Sequence, residues 1–170
     1  MVQELAERGA STLPERSACG RQRSNAMYVA DILKTKGSKV ITVRADLRIG
    51  HLVERLRMER IGALVVSETG TTVDGIISER DIAHGLAEHG AEILMRTAAD
   101  LMTKAVVTCS PGDTIAQVSK AMTYQRIRHM PVTEGKRLVG IISIGDVVRH
   151  RLDELEMEAK GMRDYIAGAQ

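Results

Sequence analysis

The 170-residue chain has no tryptophan and no phenylalanine, and its 2% aromatic share is three tyrosines. With so few π-faces, the stacking platforms that hold single-stranded nucleic acid are excluded. Only two cysteines are present, Cys19 and Cys109. They give no disulfide framework and no CxxC pair, and they predict a reduced, cytoplasmic chain. No apolar run approaches the roughly 20 residues of a membrane-spanning helix, so no membrane partner is expected. Neither sign of charge dominates: 24 Lys and Arg face 22 Asp and Glu, a net charge of +2. A dedicated nucleic-acid binder carries a strong basic excess, and this chain has none. The five histidines (His51, His84, His89, His129 and His150) are scattered without an H-x-x-x-H pair, so no metal is expected. No phosphate-binding Gly-x-x-x-x-Gly-Lys occurs, and Cys109 reads as a buried, inert thiol.

What is present is a hydrophobic share of 44% that includes nine methionines, enough for an aliphatic core. Residues 1–26 stand apart as a polar stretch without periodicity, read as a disordered leader, a misassigned start or a cloning remnant. Glu4, Glu7 and Glu15 count against a transit peptide. From Met27 onward the chain repeats itself. Gly75-Ile76-Ile77-Ser78-Glu79-Arg80-Asp81 recurs 65 residues later as Gly140-Ile141-Ile142-Ser143-Ile144-Gly145-Asp146. Val40-Ile41-Thr42 returns as Val106-Val107-Thr108 at an offset of 66, as do Ile49 as Ile115 and Ile61 as Ile127. Even the lead-in Asp31-Ile32-Leu33 has its echo in Asp100-Leu101-Met102. A tandem duplication with one loop deletion between Ser67 and Gly75 accounts for all of these matches.

Each copy reads β-α-β-β-α. In the first, Val40–Val43 is a strand, Asp46 caps a helix carrying Ile49, Leu52, Val53 and Leu56, Ala63–Ser67 and Val73–Ile77 are strands, and Ser78 opens a second helix. In the second, Val106–Thr108 is a strand, a helix carries Ile115, Val118 and Met122, strands follow at Met130–Thr133 and Leu138–Ile142, and a helix starts at Ser143. The expected organisation is a leader (1–26), a first repeat (27–97), a second repeat (98–152) and a helical tail (153–170). One copy would be marginal alone, whereas two can share a core. In the tail, Leu152, Leu155, Ala159, Met162 and Ile166 form a short a/d seam, expected to dock on a partner or on its own domain.

The repeated Gly-Ile-Ile-Ser-x-x-Asp carries the chemistry. Its glycine allows another chain element or a ligand to approach the strand closely. Ser-x-x-Asp is a capping box, in which serine and aspartate satisfy the helix's free N–H groups. The same helix start can receive a phosphate, and the aspartate can accept hydrogen bonds from a ribose diol. Both readings stay open, and they are compatible. A second constellation, Arg126-Ile127-Arg128-His129-Met130-Pro131-Val132, sets cations and a histidine before a strand, as either a solvated loop or a phosphate clamp. The first copy has Arg60-Ile61-Gly62-Ala63 there, so the two sites should differ.

These segments, two at repeat spacing within a β-α-β-β-α frame, resemble a tandem CBS domain over residues 28–152. This family is named for cystathionine β-synthase and is found also in inosine monophosphate dehydrogenase and the γ subunit of AMP-activated protein kinase. The resemblance implies an α/β Bateman module with two interdomain clefts that bind adenosine-containing ligands. In the first cleft it implies Asp81 on the ribose with Ser78 nearby, Val106 and Val107 beside the adenine, and Arg128 and His129 at the phosphate. In the second it implies Asp146 and Ser143, with Thr42, Ile61 and Ala63 lining the base and Arg80 reaching the phosphate. Val65 stands where the family has a proline, which leaves the second cleft's shape less defined.

The function expected is a non-catalytic, energy-sensing regulatory module. It would bind AMP, or alternatively ADP, ATP, NAD(H) or S-adenosylmethionine, and act on a partner effector protein. A homodimer in the form of a flat four-domain disk is expected. The Asp81 cleft should prefer a compact mononucleotide, and the Asp146 cleft should tolerate a longer ligand. A structural dimerisation module without a ligand and a nucleotide-processing enzyme are the alternatives.

Overall fold

A computed structural model describes residues 27–167; the expected leader at 1–26 lies outside them. The chain runs α1 (Val29–Lys36), β1 (Thr42–Val43), α2 (Ile49–Glu59), β2 (Ala63–Val66), β3 (Gly75–Ser78) and α3 (Glu79–His89). After a 3₁₀ turn (Gly90–Met95) come α4 (Ala98–Leu101), α5 (Ile115–Tyr124), β4 (His129–Glu134), β5 (Arg137–Ser143) and α6 (Ile144–Ala167). The mixed α/β class and the tandem organisation read from the sequence are present.

The first sheet has the order β1-β2-β3, with β1 parallel and β3 antiparallel to β2. All four residues of β2 are buried, as a central strand covered on both faces requires. In the second sheet β4 pairs with β5 antiparallel, from His129↔Ser143 to Glu134↔Arg137. The strand expected at Val106–Thr108 does not form. Its pairing shrinks to a parallel bridge between Cys109 and Val132, while the Val106 N–H turns back onto the Lys104 carbonyl at 3.0 Å. The first copy likewise keeps only Thr42 and Val43 of its expected strand. Asp46 does not cap α2 either. Arg48 is the N-cap, and the Ile49 N–H donates to the Arg96 carbonyl at 2.9 Å, so a neighbouring segment supplies the partner.

That neighbouring segment belongs to the lead-in of the other repeat, and the exchange is mutual. Val29 and Ile32 of α1 are buried among Ile115, Val118, Met122, Met130 and Ile142, the core of the second repeat. Ala98 of α4 is buried among Ile49, Leu52, Leu64 and Ile77, the core of the first, with Leu101 and Met102 packed against it. Packing therefore crosses the boundaries drawn along the chain. The repeated glycine follows from this crossing. A Cβ at Gly140 would lie 2.6 Å from Leu33 Cδ2, and one at Gly75 would lie 2.5 Å from Met102 Sδ. The close approach is thus by another chain element.

Helix α6 packs on the body with one face only. Val147 is fully buried, and Glu154 is buried with its Oε1 accepting from the Met27 N–H at 3.1 Å and its Oε2 bound by Arg151. The seam residues Leu152, Leu155 and Met162 are exposed and dock on no part of their own chain among the described residues.

Because α1 completes the second core, Ile32→Ala should destabilise the protein by about 2–5 kcal/mol, as buried large-to-small changes do. Native-state hydrogen exchange should then lose protection at β4 and β5 before β2 and β3. Loss confined to β2 and β3 would show that α1 supports the first repeat instead.

Candidate functional site

Between the repeats lies a cavity of about 480 Å³. All six residues named for the first cleft line it: Ser78, Asp81, Val106, Val107, Arg128 and His129. Two local devices put them there. At the start of α3, Asp81 Oδ2 accepts from the Ser78 N–H at 2.7 Å and the Ser78 hydroxyl at 2.6 Å. The cap occupies one carboxylate oxygen and leaves Oδ1 without a hydrogen bond among the described residues. At the end of α5, Arg126 takes a left-handed conformation with φ 55°, and Ile127 N–H returns to the Met122 carbonyl at 3.0 Å. This turn directs Arg126-Ile127-Arg128-His129 along the cavity wall. Its counterpart Arg60 has φ 53°, so both copies hold an arginine in a conformation that costs about 1–2 kcal/mol.

The resemblance implies Arg80 for the second cleft. Arg80 lines the first cavity, beside Asp81, and its Nη1 donates to the Arg126 carbonyl at 3.0 Å. Arg80, Arg126 and Arg128 therefore converge on one cavity, and none of them forms an ion pair among the described residues. Sequence reasoning named Arg126 only as part of a motif and missed Thr103 and Ala105. Thr103 exchanges two backbone hydrogen bonds with Ile76, at 3.0 and 2.9 Å, closing the cavity's edge. The lead-in echo, extended by three residues, would have found both.

The residues named for the second cleft are less gathered. Ser143 caps α6 on Asp146 as Ser78 does on Asp81, with the Ser143 N–H at 2.8 Å and hydroxyl at 2.7 Å. Ala63 pairs with Ser78 across the sheet, and Thr42 pairs with Val65. Ile61 packs against the first core. On Asp146 sits Lys36, at 2.6 Å, which also donates to the Ile141 carbonyl at 3.3 Å. In the aligned lead-ins, Lys36 corresponds to Ala105 of the first cavity. A single side chain thus distinguishes the two carboxylates.

Burial pushes the Asp146 carboxyl upward, but Lys36 and the two Ser143 donors outweigh it and hold the group below its ordinary value. His129 lines the Asp81 cavity and feels the charges of Lys36, Glu79, Asp146 and Arg128. Gly62 makes room for it: a Cβ there would be 3.1 Å from His129 Cε1. Burial, then the Lys36 charge, lower the imidazole below its ordinary 6.5, against the pull of Glu79 and Asp146. Cys109 is buried, and its thiol is pushed up to about 12.

With this geometry in view, the comparisons decide the family. The CBS-domain family model matches residues 29–88 and 98–153. The chain belongs to the CBS-domain family. It is 31% identical over 148 residues to the mitochondrial CBS domain-containing protein CBSX3 of Arabidopsis thaliana, covering 82% of this chain and 72% of that one. Its fold matches the CBS-domain protein ATU1752 of Agrobacterium tumefaciens with a TM-score of 0.71 and 44% identity, over 74% of this chain and 99% of that one. It also matches the CBS domain pair of MJ0100, solved with 5'-methylthioadenosine and S-adenosyl-L-methionine, with a TM-score of 0.67 and 26% identity over 76% and 98% of the chains. The CBS pair read from the two Gly-Ile-Ile-Ser-x-x-Asp segments is therefore established. Among the described residues no helix is long and apolar enough to cross a membrane.

A lowered histidine has a definite linkage sign. As pH falls below 6.5 the unfolded chain takes up the proton before folded His129 does, so stability drops. Urea unfolding from about pH 7.5 to about pH 5.5 should show this decline, and His129→Gln should reduce its slope. An unchanged slope in the variant would mean that His129 titrates alike in both states.

Proposed function

We propose that this CBS pair is a non-catalytic regulatory module that binds one adenosine-containing ligand, AMP, in the Asp81 cavity. The observation that carries this reading is the convergence of Arg80, Arg126 and Arg128, without ion-pair partners among the described residues, on the cavity that holds the Asp81 carboxylate oxygen left open by the cap. A guanidinium fork suits phosphate oxygens, and a carboxylate suits a ribose diol. Val106, Val107 and Ile76 supply an aliphatic wall for the base in place of aromatic stacking. The adenosine ligands in the CBS pair of MJ0100 support the same chemical class.

In this reading Ser78 and Asp81 hold the ribose, and Arg128 and His129, joined by Arg80 and Arg126, take the phosphate. The Asp146 site is secondary, because a ribose there must displace or share Lys36. ADP, ATP and NAD(H) place further charge in the same arginine cluster and compete with AMP. Ligand contacts on both repeats change their relative arrangement and so act on an effector protein, to the extent that affinity differs between the two arrangements. The module works in a reducing, cytoplasmic setting, where Cys19 and Cys109 stay as thiols.

Equilibrium binding to ligand-stripped protein tests this. Asp81→Ala should weaken AMP ten-fold or more, since a charge-assisted hydrogen bond contributes about 1.5–3 kcal/mol. Arg128→Ala should weaken AMP but leave adenosine nearly unchanged. No binding of any adenine nucleotide would favour a purely structural dimerisation module, and release of hydrolysed product would favour an enzyme.

Lys36 yields a separate expectation. Lys36→Met should remove the cation from Asp146 and raise adenosine occupancy of the second site, increasing the binding stoichiometry over wild type. Unaltered stoichiometry and affinity in that variant would show that the ion pair does not guard the site.

A further inference from the structure

We propose that Glu79 limits the negative charge the Asp81 cavity accepts, selecting a nucleotide with one phosphate over those with two or three. The inference rests on the nucleotide reading and adds to it a residue that the reading leaves unused. Among the described lining residues the cations are Arg80, Arg126 and Arg128, and the carboxylates are Asp81 and Glu79. Burial and the Lys36 charge hold the His129 imidazole below its ordinary 6.5, so it brings no full charge at neutral pH. Asp81 is engaged by its own cap, at 2.7 Å from the Ser78 N–H and 2.6 Å from its hydroxyl. Glu79 differs. It forms no ion pair among the described residues, although three guanidinium groups line the same cavity.

Short contacts place that carboxylate at the phosphate end of the cavity. The Glu79 N–H donates to the Gly62 carbonyl at 3.1 Å. A Cβ at Gly62 would lie 3.3 Å from His129 Nε2 and 3.5 Å from Glu79 Oε2, so imidazole and carboxylate meet over the same glycine. Arg128 and His129 are the pair assigned to the phosphate. A phosphate drawn in by the arginines therefore arrives beside an unpaired carboxylate. Two like charges about 6 Å apart in water repel enough to change an affinity about three-fold. Each further phosphate adds about one more negative charge and meets that repulsion again. The second repeat holds Ile144 at the position of Glu79, and Gly145 at that of Arg80. The Ser-x-x-Asp cap thus forms without this charged pair, which belongs to the Asp81 cavity alone. An acid in the first turn of α3 also complements the helix dipole. That role acts on stability and treats all nucleotides alike.

Titration calorimetry of ligand-stripped protein with adenosine, AMP, ADP and ATP, in EDTA and at one ionic strength, separates these roles. Glu79→Gln should leave adenosine unchanged and raise nucleotide affinity in order of charge. The ADP-to-AMP affinity ratio should grow about three-fold and the ATP-to-AMP ratio about ten-fold. Glu79→Asp keeps the charge and should keep both ratios close to wild type. Equal changes for all four ligands would show that Glu79 serves only the first turn of α3. Unchanged ratios would show that its carboxylate turns instead to Arg57 and Arg60, in the groove it also lines. Either result overturns the proposal while the nucleotide reading stands. A wild type that binds none of the four ligands would refute the nucleotide reading, and the role of Glu79 with it.

Discussion

Everything in this structure depends on the exchange of lead-in segments between the two repeats. Val29 and Ile32 fill the core of the second repeat, and Ala98 fills the core of the first. Neither core closes without the segment that precedes the other copy. The exchange brings the edges of the two repeats together, and the cavity lies along that meeting. It also dictates glycine at positions 75 and 140, where Met102 and Leu33 press on the strand. The price is a coupling: a ligand that strains the cavity acts on segments buried in both cores.

The capping aspartates show how structure and binding share one group. Asp81 and Asp146 each spend one oxygen on a serine N–H and hydroxyl, and keep the other free of hydrogen bonds among the described residues. A cap holds the carboxylate still, which preorganises it for a ligand. The same lead-in position then decides which carboxylate is open. Ala105 leaves Asp81 facing the cavity, whereas Lys36 lies on Asp146. The duplication made two equivalent frames, and their electrostatics differ by this alanine-to-lysine change and by Arg80 beside Asp81 where Gly145 stands beside Asp146.

The repeat, the α-β-β-α part of each copy and the residues that line the Asp81 cavity were legible because they rest on local pattern. Gly-Ile-Ile-Ser-x-x-Asp combines a strand period, a cap and a helix start within seven residues. The strand at Val106–Thr108 was misread because a strand is decided by its partner, and among the described residues the pairing at its end is a bridge from Cys109 to Val132. Asp46 was misread as a cap because the true partner of Ile49 N–H, the Arg96 carbonyl, comes from a distant segment. That Arg80 also lines the Asp81 cavity was not read, because its hydrogen bond to the Arg126 carbonyl spans 46 residues. Lys36 was invisible as a site residue, since nothing local to a helix end announces a carboxylate 110 residues away. In each miss the deciding contact was long-range.

The most direct test of the central claim is a crystal structure of the ligand-stripped protein after addition of AMP. The account predicts the ribose hydroxyls on Asp81, the phosphate among Arg80, Arg126 and Arg128, and Lys36 still on Asp146. AMP on Ser143 and Asp146 with Lys36 displaced and the Asp81 cavity empty would contradict it.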